Sequence, residues 1–226
     1  MIKATSPQKF AKAAGVLYLL TFVSVPTLTL YNLIRDPNYI VGHGPDTAVF
    51  LGGILEIIVA LAGIGTAVTL YPVLKKQNEA MALGLACTRV VEAGTMFAGV
   101  AFLLSAVTLR QEGTGTEGML TGHTLVVLYD RIFLFGQSFM PIWDDLLLGI
   151  LLYQSRLVPR ALSLVGIIGA PVLLCGDIAV LFGFVGQHDP STALFAVPVA
   201  LFEFVLGVWL IVKGFNPSSP LIRADK

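Results

Sequence analysis

Six apolar runs of about twenty residues or more constrain this chain more than any other feature. They lie near Ala13–Ile34, Ala48–Pro72, Met81–Leu109, Thr124–Tyr153, Ala161–Val185 and Ser191–Lys213. Each is long enough to cross the hydrocarbon of a bilayer, where only helices and closed barrels satisfy their own backbone. Composition agrees: 56% of the 226 residues are hydrophobic, 12% are charged and the mean hydropathy is +0.84. A soluble domain is about one quarter charged. The expected fold is all-α, a polytopic six-transmembrane-helix bundle that takes up residues 1–226 as a single domain. The first run, behind Lys3, Lys9 and Lys12, is too long for a signal peptide and has no small-x-small cleavage site, so it is expected to be the first spanning helix.

The basic residues divide unevenly between the two ends. Lys3, Lys9, Lys12, Lys75, Lys76, Arg156, Arg160, Lys213, Arg223 and Lys226 share one side, and Arg35 and Arg110 the other, ten against two. Cytoplasmic loops are enriched in Lys and Arg, so both termini are expected in the cytoplasm. The connections Arg35–Thr47 and Arg110–His123 then face outward. A weak internal echo also runs through the chain. Leu70–Gly84 resembles Leu152–Gly166, and Asp145–Gly149 parallels Glu203–Gly207, which suggests repeated helical hairpins. Cys87 and Cys175 fall inside apolar runs and are expected to be small packing residues, with no disulfide framework.

Charges inside the spans are the second constraint. Between Tyr129 and Asp145 the fourth run carries Asp130, Arg131, Asp144 and Asp145, with Gln137, Ser138 and Pro141 between them. At helical spacing Asp130, Gln137, Pro141 and Asp144 share a stripe, with Arg131, Ser138 and Asp145 beside it, so one flank is polar. Pro141 has no N–H for the carbonyl of Gln137, which marks a break or a hinge. Across all six spans there are seven acids, Glu56, Glu92, Asp130, Asp144, Asp145, Asp177 and Glu203, against two bases, Arg89 and Arg131. Buried carboxylates in that excess take up protons or a cation. Arg89 and Glu92 lie three apart and can pair.

From the rise of about 1.5 Å per residue, Glu56, Asp130 and Asp177 fall in the outer third and Glu92 and Glu203 near the middle. The expected site is an acidic cavity open to the outside. Its ligand- or proton-binding residues are Glu56, Glu92, Asp130, Asp177 and Glu203; Arg89, Asp144 and Asp145 form an inner seal; Arg131, Gln137 and Ser138 add polar walls. Asp130 and Arg131 are read as a self-compensated pair. Small residues on the Glu56 stripe, Gly52, Gly53, Ala60, Gly63 and Ala67, let a neighbouring helix or subunit approach closely.

His43, His123 and His188 all lie on the outer side, with Asp46 and Asp189 near two of them, and are the candidate ligands for a zinc-like metal. No other cofactor is expected. Histidines deep in a span, a mid-membrane lysine, nucleotide loops, H-E-x-x-H and G-x-S-x-G are all missing from the sequence, so intramembrane haem, retinal, nucleotide and serine-nucleophile chemistry have no support. The leading expectation is a transporter or binding protein for a small solute or cation, with proton coupling. Alternatives are a metal-dependent intramembrane hydrolase of lipid-like substrates and a non-catalytic membrane interaction partner. The expected partners are the lipid bilayer and a small-molecule or cationic ligand, with no nucleic acid; the oligomeric state is open.

Several segments together carry a family resemblance. Ala14-Gly15-Val-Leu-Tyr-Leu-Leu20 follows the basic start, Leu70-Tyr71-Pro-Val-Leu-Lys-Lys76 ends the second run, and Arg89-Val-Val-Glu92 lies early in the third. The segment Leu148–Gly166 and the pair Gly176-Asp177 come later. In these the chain resembles bacterial domain-of-unknown-function family 4386. The resemblance implies a six-helix protein of the bacterial cytoplasmic membrane and no defined activity. It departs at Pro141-Ile-Trp-Asp-Asp145, where that family has a histidine-containing segment.

Overall fold

The computed structural model describes residues 7–223, so Lys3 and Lys226 of the basic set lie outside the described residues. Among the described residues there is no strand, and six helices are long and apolar enough to cross a membrane. These are α1 (Pro7–Leu30), α2 (Thr47–Leu74), α3 (Glu79–Gln111), α4 (Glu117–Ser155), α5 (Arg160–Leu181) and α6 (Pro190–Val212).

Local chemistry explains the ends and breaks. Pro26 cannot donate to Phe22, and α1 accordingly tightens into a 3-10 turn at Thr21–Ser24 before one last helical turn, Thr27–Leu30. It is thus bent, and it is already helical at Pro7, ahead of the expected Ala13. Asn78 caps α3 by accepting the Met81 N–H at 3.0 Å. Helix α4 begins at Glu117, seven residues before the expected Thr124, so only a tight turn separates it from α3. Its middle widens into a π segment at Leu134–Ser138, just ahead of Pro141. The sequence placed its break there, and the missing proline donor accounts for it. Gly136 makes the widened turn possible against α3: a Cβ on it would collide with the Thr95 side chain.

The six helices close a ring. Helix α1 packs on α2 and α6, and α2 to α6 each pack on the next in order. At one end the chain's two extremities are stitched together. Gln8 donates to the Phe215 carbonyl at 2.8 Å and accepts the Phe215 N–H at 3.0 Å, while the Ser219 hydroxyl donates to the Ser155 carbonyl at 2.7 Å. Lys75, Arg156, Arg160 and Lys213 belong to this end. Here the ring is filled: Tyr18, Leu148, Leu151, Phe202 and Leu206 are all at most 1% exposed.

At the opposite end Tyr39 and Ile40 of the first connection turn inward and pack beneath Tyr31 and Tyr129. The α2 stripe of Gly52, Gly53, Glu56, Ala60, Gly63 and Ala67 is buried inside the single chain. It therefore serves internal packing. Cys87 and Cys175, expected to pack, are exposed on the outer surface of the bundle, among apolar side chains such as Val91, Phe97 and Ile178 that suit a lipid environment.

Candidate functional site

Above the filled half, the ring leaves a cavity of about 230 Å³ lined by side chains from all six helices. Its floor is built on Arg89. Residues 89 and 92 share a face of α3, and the Arg89 Nη1 donates to Glu92 Oε2 at 2.9 Å. Its Nη2 donates to Glu203 Oε1 on α6 at 2.5 Å, and its Nε lies 3.4 Å from Asp144 Oδ2 on α4. The guanidinium sits over the ring of Tyr18 at 5.7 Å. Thr88 holds the other Asp144 oxygen. Next in sequence, Asp145 is fully buried with neither carboxylate oxygen hydrogen bonded.

One guanidinium therefore serves a cluster that contains Glu92, Asp144 and Glu203, with Asp145 adjoining. Arg89 is 3% exposed, and one guanidinium cannot balance four negative charges in so buried a site. Charge balance requires protons or another cation. The sequence divided these residues between a midplane pair and an inner seal; the structure brings Arg89, Glu92, Asp144 and Glu203 into one cluster. Glu92 and Glu203 face the cavity, Asp144 and Asp145 lie behind it, and Gln137 and Ser138 line its wall from the π segment. Glu92 and Glu203, which face the cavity and share one guanidinium, are what the arrangement can use: each can bind a proton or a cation.

A second, larger crevice of about 570 Å³ adjoins the first on the distal side and shares Phe133, Ser138, Leu173 and Ala196 with it. Asp177 faces this crevice, 5% exposed; the Ser138 hydroxyl donates to its Oδ1 at 2.6 Å, while its Oδ2 has no partner. At the rim, Arg35 from the turn after α1 donates to Asp130 at 2.9 Å and His188 lies 3.2 Å from the same carboxylate. Gln187 donates to the Asp130 carbonyl at 2.7 Å. The rim thus joins α1, α4 and the α5–α6 connection.

Other expected site residues are placed elsewhere. Asp130 pairs with Arg35 and His188, and Arg131 is exposed on the outside of the bundle and lines neither cavity. The physical reason is helical geometry: consecutive residues point about 100° apart. Glu56 lines neither cavity, being fully buried with its Oε1 accepting the Tyr129 hydroxyl at 2.6 Å. His43, His123 and His188 are exposed and dispersed, and among the described residues no three His, Cys, Asp or Glu side chains converge as a metal site needs.

Sequence reasoning missed Tyr18, Arg35, Thr88 and Tyr129. Tyrosines inside apolar runs were the available signal, since a buried hydroxyl needs a partner.

At the last turn of α3, a compact ion pair ties that helix to the first connection. Arg110 donates to Asp46 Oδ1 at 2.6 Å, the Tyr39 hydroxyl donates to the same oxygen at 2.7 Å and Gln111 donates to Oδ2 at 3.0 Å. Burial acts to raise the Asp46 pKa, but the donors and the Arg110 charge outweigh it and hold the carboxyl below its ordinary value. Burial, followed by the bond to Asp46, pushes the Tyr39 hydroxyl well above the usual tyrosine range.

The family model described as a domain of unknown function (DUF4386) matches residues 13–214. No curated protein and no solved structure matches the chain significantly.

Proposed function

We propose that this chain, which belongs to the domain-of-unknown-function family DUF4386, binds a small cationic solute in its ring cavity and moves it in exchange for protons. The observation that carries the reading is the floor of that cavity, where Arg89 is met by Glu92, Asp144 and Glu203 with Asp145 adjoining. A cation entering such a site takes over charge that protons otherwise neutralise, so binding and proton release are linked.

Each residue has a part in this scheme. Glu203 and Glu92 reach the cavity, release protons as the solute cation binds and take protons up again as it leaves. Arg89 is the fixed charge they share, and Asp144, held by Thr88, fixes the guanidinium from behind. The apolar plug from Tyr18 to Leu206 closes the basic end. The π segment before Pro141 is the hinge by which the wall carrying Gln137 and Ser138 moves. By the basic-residue bias the cavity opens to the outside of a bacterial cytoplasmic membrane, with both termini in the cytoplasm.

Proteoliposomes carrying an internal pH dye, given gradients of Na⁺, K⁺ or methylammonium, test the reading. Cation-driven proton movement is expected in the wild type and is expected to be lost in Glu203→Gln and Glu92→Gln. Equal flux in both variants overturns the assignment.

A further inference from the structure

The second crevice differs from the first in the character of its walls and in where it opens. Along Pro7–Leu20, α1 is closed tightly on α6: a Cβ on Gly15 would lie 2.7 Å from the Gly207 carbonyl oxygen. The contact continues to Phe22 and Phe204, whose rings meet edge to face at 5.5 Å. Beyond that pair the chain bends at Pro26, and Thr27–Leu30 packs against α2. The α1–α6 seam therefore parts in its distal half. Leu28, on the crevice wall, is 69% exposed, and Ala193 on the facing helix lines the crevice and is exposed too. A gap in the side of a spanning bundle, bordered by exposed apolar side chains, opens to lipid.

Within this largely apolar crevice one buried carboxylate lacks a counter-ion; the other acid of its lining, Asp189, is exposed at the mouth and accepts the Gly186 N–H at 2.7 Å. Asp177 is 5% exposed and is served by Ser138 alone, with Oδ2 unpartnered. Among the described residues no basic group pairs with Asp177, and the two bases at the rim, Arg35 and His188, are both engaged by Asp130. Four kinds of occupant can be weighed against those facts. An anionic amphiphile would bring a second negative charge beside Asp177. A neutral one would leave Asp177 to be neutralised by a proton alone and offer its Oδ2 at most a hydrogen bond. A bare metal cation would find one carboxylate and one hydroxyl, fewer oxygen ligands than such ions take. An ammonium group on an apolar body satisfies both features at once, donating to Oδ2 while its chain fills the seam.

We infer that the outer crevice binds an amphipathic amine that enters sideways through the parted α1–α6 seam and places its ammonium group on Asp177. This names the class of solute for the exchange reading and rests on that reading for its physiological sense. Ser138 lines both spaces, so an ammonium group released from Asp177 has the wall of the inner cavity next to it.

The test uses the full chain in phosphatidylcholine nanodiscs, with empty nanodiscs as the partition blank and octylammonium as the probe. Octanol and octanoate serve as neutral and anionic controls of equal chain length. Saturable binding of octylammonium alone is expected, with at least a tenfold loss of affinity in Asp177→Asn. Ala193→Trp, at the exposed rim, covers the case in which Asp177→Asn does not fold, because filling the mouth is expected to weaken octylammonium binding. Unchanged affinity in a folded Asp177→Asn, or equal binding of octanol, overturns the inference; so does unchanged affinity in Ala193→Trp where Asp177→Asn does not fold. The two readings fail separately. Octylammonium binding that depends on Asp177, without cation-driven proton flux, removes the exchange reading and leaves the site. Flux that depends on Glu203, with binding indifferent to Asp177, does the reverse.

Discussion

Tyr129 shows how a single side chain sets the state of an acid that sequence counting treats as free. Its hydroxyl donates to Glu56 at 2.6 Å inside a fully buried pocket, while the second Glu56 oxygen has no partner. Tyr129→Phe leaves both oxygens bare and is expected to destabilise the protein by about 1–3 kcal/mol, the cost of an orphaned buried acceptor. Chemical unfolding in nanodiscs reads it, and Glu56→Leu in the same background is expected to recover part of the loss. Asp46 offers a pH-dependent counterpart outside the spans. Its folded pKa is depressed, so its contribution is whole above the unfolded value of about 3.9 and is lost as the pH falls through the lower folded value. Asp46→Asn should therefore cost about 1–2 kcal/mol near neutral pH, and its difference from wild type should shrink below about pH 4. The same contrast shows what sequence can reveal. Arg89 and Glu92 could be paired from the chain because helical spacing is local. Asp130 could not: its neighbour Arg131 points away, and its partner Arg35 lies 95 positions earlier. That pairing depends on where the end of α1 docks, which no local pattern encodes.

Elements carry the next set of consequences. The extent of the apolar runs made six helices readable, and Pro141 correctly marked a disturbance in α4, because a missing donor acts within one turn. The bend of α1 at Pro26 was equally local but was passed over inside a continuous apolar run. The internal echo gains structural content from two pairs of glycines. Gly84 and Gly166 face α4 and α6, and Gly149 and Gly207 face α5 and α1. In each case the glycine receives the next helix of the ring, so equivalent places in the two echoes do the same packing work. Gly15→Ala tests the seam: its Cβ would press on backbone of α6, and a loss of about 1–3 kcal/mol in unfolding free energy is expected. Pro141→Ala tests the hinge. Restoring an N–H should stabilise α4 by about 0.5–1.5 kcal/mol while lowering cation-driven proton flux. A stabilised variant with undiminished flux would make the π segment purely structural.

On the scale of the whole molecule, the asymmetry between the two ends decides what the ring can do. One half is filled by Tyr18, Leu148, Phe202 and Leu206, and the other holds two adjoining spaces, one on a charged floor and one parted at the side. The space beside Glu92 and Glu203 thus lies in the half away from the filled end, and the direction of any movement depends on which side of the membrane that half occupies. The basic residues favour the cytoplasm for the filled end. Single cysteines in a background with Cys87 and Cys175 replaced by alanine decide it, because His43 and Lys213 are both exposed and lie at opposite ends. An impermeant maleimide applied to intact cells is expected to label His43→Cys at once and Lys213→Cys only after permeabilisation. The opposite pattern would turn the open spaces toward the cytoplasm, so that an amine held at Asp177 would be drawn from the inner leaflet and the exchange would start from the cytoplasmic pool.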